Sequence, residues 1–194
     1  MLAFSLRGIR ITVKFGFCMV ILFMFCAAGE KIIPCLFCSA LHECGHLLIC
    51  ARYRLRIRSL YFGTLGLKLR LMKDDALLTP GQSFWLHSGG ILMTLFSGIL
   101  FAVLGLREWM AVSFFLSAFH LIPMRDMDGG RIFAAIGTRF TDAKNRELWV
   151  LLGQGIGCMI FAFLAAAALR YRQNVLALMF GVFAICGVLP AREA

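Results

Sequence analysis

The chain is a succession of apolar runs, each roughly as long as a bilayer's hydrocarbon core is thick. Six stand out: Val13–Gly29, Ile32–Ala51, Ser83–Leu106, Trp109–Met124, Leu148–Leu169 and Val175–Leu189. A helix needs roughly 20 apolar residues to cross about 30 Å of hydrocarbon. Helices and closed barrels are the folds that satisfy their own backbone there. The pattern predicts an all-α polytopic membrane protein of about six transmembrane helices. It forms a single integral-membrane domain over residues 1–194. Composition agrees: 61% of the residues are hydrophobic, against roughly 45–50% in soluble domains. The first run follows Arg7, Arg10 and Lys14 and ends in "CAAG", as a cleaved signal peptide also can. A retained anchor fits better with a chain that is apolar throughout.

Between the second and third runs the period changes. In "RYRLRIRSLYFGTLGLKLRLMK", Arg52, Arg54, Arg56 and Arg58 occupy every second position, with Tyr53, Leu55 and Ile57 between them. After Gly63 and Gly66 the alternation resumes, Lys68 and Arg70 against Leu67, Leu69 and Leu71. A period of two is a strand signal. It predicts a small interfacial β-hairpin with a basic face toward lipid head groups. The net charge of +10 then reflects basic cytoplasmic loops and anionic lipid, not nucleic acid. Because 52–73 is strongly basic, it is placed in the cytoplasm with both termini. That gives a multi-pass protein, expected in a bacterial cell membrane. The eight cysteines fall in apolar segments, Cys35/Cys38 included, and read as packing residues.

One stretch breaks the apolar logic. "LHECGHLLIC" (Leu41–Cys50) places two histidines and a glutamate inside the second run. A carboxylate at a helix centre in hydrocarbon costs at least about 2.5 kcal/mol, so such a group marks a functional site. His42 and His46 are four apart and stand on one helical face. At that spacing two imidazoles can bind one Zn²⁺. Glu43, about 100° round the helix, can lie against a metal-held water and take its proton. A catalytic zinc needs a third protein ligand and an open position. The candidates are His87, His120, Asp126 and Asp128. The last three lie in "FHLIPMRDMDGGRI", where Pro123 should end the fourth helix and Gly129–Gly130 allow irregular backbone. By the topology above, His42, His46 and Asp128 all fall on the cytoplasmic side.

These residues resemble the site-2 protease family of intramembrane zinc metalloproteases, and most the group of the sporulation stage IV protease. "HECGH" matches the family's HExxH within a membrane helix. "HLIPMRDMDGGRI" is similar to its N-L-x-P-x-x-P-L-D-G-G segment, and "LHSGGILM" to its A-G-P-x-x-N segment. The resemblance covers about residues 30–135. It implies His42, His46 and Asp128 as zinc ligands and Glu43 as the base. The chain departs from the pattern at His120, where the family has asparagine, and at Asp126 and Met127, where it has proline and leucine. In the third run Gly90 stands for proline and Met93 for asparagine, with Thr94 the nearest polar group. His120 and Thr94 are therefore candidates for contact with substrate or transition state. The family also implies that a strand of the hairpin pairs with an extended substrate.

The expected function is an intramembrane zinc endopeptidase. It would cut a membrane-associated or membrane-spanning protein near the cytoplasmic face; the sporulation resemblance implies a membrane-tethered transcription-factor precursor. A chain this short leaves little room for an appended regulatory domain, so a partner membrane protein is expected. Gly153, Gly155 and Gly157 could support close helix packing or an oligomer. The competing readings are a catalytically inactive metal-binding scaffold and a small metal transporter. The intact Glu43 opposes the scaffold. Against the transporter stands the lack of polar residues in the first, fifth and sixth runs, Gln154 excepted.

Overall fold

The structure is a computed structural model. It describes residues 2–6, 9–63, 66–72, 78–125, 127–141 and 145–174, with 178, 180–182, 184 and 185 near the end. The sixth apolar run therefore lies largely outside the described residues, as do Asp126, Lys73 and Cys186. The chain divides into two compact units, Met1–Ser117 and Ala118–Ala194.

The first unit opens with a hairpin, β1 (Leu2–Leu6) and β2 (Ile9–Val13), before helix α1 (Phe15–Ala28). Helix α2 (Ile32–Arg52) carries the histidines. The expected hairpin follows as β3 (Ile57–Gly63) and β4 (Gly66–Leu71), antiparallel. All four strands form one sheet in the order β1-β2-β3-β4. β2 and β3 pair in parallel, Val13 opposite Phe62, which requires the long crossover that α1 and α2 supply. The sheet was half foreseen: "IRITV" alternates, but its basic residues read as a flank of the first membrane run. At the start of β3 Arg56 and Arg58 are exposed and Ile57 half-buried, whereas Ser59, Leu60, Tyr61 and Phe62 are all half-buried. Ile57, Leu55 and Leu71 pack on Cys50, Leu78 and Leu86, pinning the hairpin to the adjacent ends of α2 and α3.

Helix α3 (Pro80–Val103) starts where its sequence dictates. Thr79 accepts from the Gln82 N–H, Gln82 accepts from the Thr79 N–H, and Pro80 fills the first turn. Its buried face runs through Ser83, Leu86, His87, Gly90, Thr94, Ser97 and Phe101. It meets the face of α2 carrying Cys38, His42, Gly45, His46 and Cys50. Gly45 and Gly89 let the two backbones touch: a Cβ on either would enter the other's carbonyl. Helix α4 (Arg107–His120) is joined to both by hydroxyls. Ser117 Oγ donates to Thr94 Oγ1 at 2.7 Å, and Cys38 Sγ lies 3.1 Å from Ser113 Oγ.

In the second unit α4 ends at His120, three residues before Pro123. Helix α5 (Asp128–Phe140) follows at once, and α6 (Arg146–Arg170) packs along it. The irregular backbone expected at Asp128–Gly130 is instead the first turn of α5. Both glycines are needed there because a Cβ on Gly129 would meet the Leu121 carbonyl, and one on Gly130 that of Met124. The helix buries small residues, Gly130, Ala134, Ala135 and Gly137, and leaves Ile136, Arg139 and Phe140 exposed.

Among the described residues, three helices are long and apolar enough to cross a membrane: α2, α3 and α6, with mean hydropathies of 1.6, 1.7 and 2.1. Large apolar side chains such as Leu48, Phe96, Val103, Met159 and Phe163 stand exposed on them, as lipid-facing surfaces require. This is a membrane protein. The first and fourth expected spans appear as α1 and α4, of 14 residues each, or about 21 Å of helix.

Candidate metal centre

Both histidines of "HECGH" sit on the buried face of α2, His42 2% and His46 7% exposed. Their Nε2 atoms are 3.1 Å apart, with the rings nearly perpendicular. Two nitrogens bound tetrahedrally at about 2.05 Å would stand about 3.3 Å apart, so the pair is already near the spacing one zinc ion imposes. His46 Nδ1–H donates to the Leu86 carbonyl at 2.8 Å. That contact fixes the tautomer whose Nε2 lone pair is available to a metal. His87, the next residue on α3, places its ring 6.1 Å from that of His46. Glu43 lies one residue along α2, half-buried.

The floor of this pair is Gly90. A Cβ there would lie 2.6 Å from both His42 Nε2 and His46 Nε2. Only a residue without a side chain leaves the volume in front of both nitrogens open. The donor set and the cradle fit a zinc ion.

Thr94 lies one turn beyond Gly90 and is fully buried. Its hydroxyl reaches the Ile91 and Gly90 carbonyls at 2.9 and 3.2 Å and accepts from Ser117. Its visible work is to tie α4 to the segment of α3 that faces the histidines.

In the second unit Asp128 opens α5 and offers a carboxylate oxygen, as His42 and His46 offer ring nitrogens. His120 Nδ1 is 3.1 Å from Asp128 Oδ2. The turn joining them is seated on α6. Gln154 Oε1 accepts from the Arg125 N–H at 2.7 Å, and the Arg125 guanidinium reaches Glu147 at 3.0 Å. Gly157 leaves room for Met124. Gln154 is the polar exception noted in the fifth apolar run, and this seat is its use. Sequence reasoning had attached no site role to it, because a lone glutamine carries no spacing signal.

No family model matches the chain. A Synechocystis sp. protein named as a zinc metalloprotease is 27% identical to it, across 62% of this chain and 35% of that protein. The chain thus spans about a third of that relative's length. Among solved structures it is similar to the site-2 protease from Methanocaldococcus jannaschii, with a TM-score of 0.65 at 18% identity, covering 100% of this chain and 97% of that one. The chain has the fold of a site-2 protease.

Proposed function

We propose that this protein is an intramembrane zinc endopeptidase of the site-2 protease family. In this reading His42, His46 and Asp128 hold the metal. The observation that carries it is the histidine pair: two buried Nε2 atoms 3.1 Å apart, one set by a carbonyl, facing a volume that only glycine leaves open. The protease fold and the named relative support it. When bound, zinc would polarise the scissile carbonyl and make water a nucleophile near neutral pH.

The chain's own residues do the rest. Glu43 takes the proton of the attacking water and returns it to the leaving nitrogen. Burial of His42 and His46 on α2, with the Leu86 carbonyl bonded to His46, keeps both imidazoles aimed. The edge of the sheet can accept a substrate strand, whose new backbone bonds offset those lost as a substrate helix unwinds.

The finer reading has six membrane spans, with both termini, the basic hairpin and the site toward the cytoplasm. The substrate is a membrane-associated or membrane-spanning protein, a tethered transcription-factor precursor being the sporulation-type case. A partner membrane protein regulates access. Zinc stoichiometry of the purified full chain tests the ligand set. The wild type and Glu43→Gln should hold about one zinc per chain, while His46→Ala and Asp128→Ala should hold markedly less. A well-folded wild type without zinc removes the proposal.

A further inference from the structure

We infer that His120 is a positioning residue for the metal-ligating carboxylate: it holds one oxygen of Asp128 so that the other is presented to zinc. The inference rests on the reading of Asp128 as a ligand and assigns His120 a different task from contact with substrate.

His120 is the last residue of α4 and Asp128 the first of α5. The turn between them folds back so that His120 Nδ1 stands 3.1 Å from Asp128 Oδ2. The imidazole Nδ1–H donates and the carboxylate accepts. Both side chains are largely shielded, 26% and 12% exposed, so water competes weakly for either. The ring is braced from behind by Phe119, centroids 6.1 Å apart, and Phe119 in turn packs on the fully buried Phe161 of α6.

A carboxylate on the first turn of a helix can rotate about two bonds. The His120 bond removes that freedom. With Oδ2 engaged by the imidazole, Oδ1 is the oxygen assigned to the ion. Outer-shell partners of this kind typically carry 10–100-fold of metal affinity. An amide N–H can donate to a carboxylate oxygen as an imidazole does. The task therefore demands a donor at position 120 and not a histidine as such.

The test is zinc affinity of the full-length protein in detergent, read by competition with a chromophoric chelator. The variants are His120→Ala, His120→Asn, Asp128→Ala and the double variant His120→Ala/Asp128→Ala. His120→Ala should weaken zinc about 10–100-fold, and His120→Asn should recover most of that loss. Asp128→Ala should weaken it further, and adding His120→Ala to it should cost nothing more. Thermal unfolding of the zinc-free proteins, unchanged by His120→Asn, checks the fold. Wild-type affinity in His120→Ala, beside a weakened Asp128→Ala, overturns the positioning role and leaves the ligand set standing. An equal loss from His120→Ala with and without Asp128 also overturns it, because His120 would then act by another route. Wild-type affinity in Asp128→Ala removes the ligand reading, and this inference with it.

Discussion

The histidines and the aspartate are held by opposite means. His42 and His46 project from the middle of a long apolar helix, locked by backbone contact between α2 and α3 at Gly45 and Gly89. Asp128 projects from the first turn of a short helix, behind a tight turn stitched by Gln154, Glu147 and His120. The first arrangement depends on volume and tolerates no added atom. The second depends on hydrogen bonds and tolerates no lost donor or acceptor. Helix packing supplies an exact spacing between two ligands on one face. A turn supplies a direction that a helix running through the membrane does not offer.

That contrast is open to breaking from both sides. The largest effect should come from a change that alters neither packing nor stitching. Glu43→Gln keeps volume and zinc but should lower cleavage of a membrane-tethered reporter by about 10²–10⁴-fold. Gly90→Ala comes next. Its Cβ must displace the imidazoles, and overpacking of this kind costs about 1–3 kcal/mol. The loss should appear as weaker zinc binding in a protein that still unfolds cooperatively. Gln154→Ala removes the acceptor of the Arg125 N–H, worth about 1 kcal/mol. It should lower zinc affinity several-fold, and Gln154→Glu, which keeps an acceptor, should lower it less. The smallest effect is expected from Ser117→Ala, which cuts the bond to Thr94. Interhelical hydrogen bonds in membranes average about 0.6 kcal/mol, so a shift in thermal unfolding of a degree or two is the readout. If Gln154→Ala and Gly90→Ala reversed their order, the division between volume and stitching would be wrong.

How much was legible in the sequence follows the same division. α2, α3 and α6 announced themselves, because an unbroken apolar run of bilayer length leaves few alternatives. The histidine pair was equally plain, since the 3.6-residue period fixes which residues share a face. The hairpin β3–β4 showed through its alternating arginines, whereas β1–β2 did not, because five-residue strands beside a membrane run look like its flank. α5 was hidden by Gly129 and Gly130, which read as a break. In the fold they are thin places over which the preceding turn lies. The partnership of His120 with Asp128 depends on how the turn 121–127 closes, and no period or spacing encodes that. Gly90 read as a departure from a family pattern, and only its distance to two ring nitrogens shows what it leaves room for.

The most direct test of the whole account is cleavage of a membrane-tethered reporter by the purified, zinc-loaded full chain, run beside Glu43→Gln of matched zinc content. The account predicts cutting by the wild type, abolished by a chelator and restored by zinc, and none above background by Glu43→Gln. Cutting by Glu43→Gln at the wild-type rate, or cutting that no chelator affects, would contradict it.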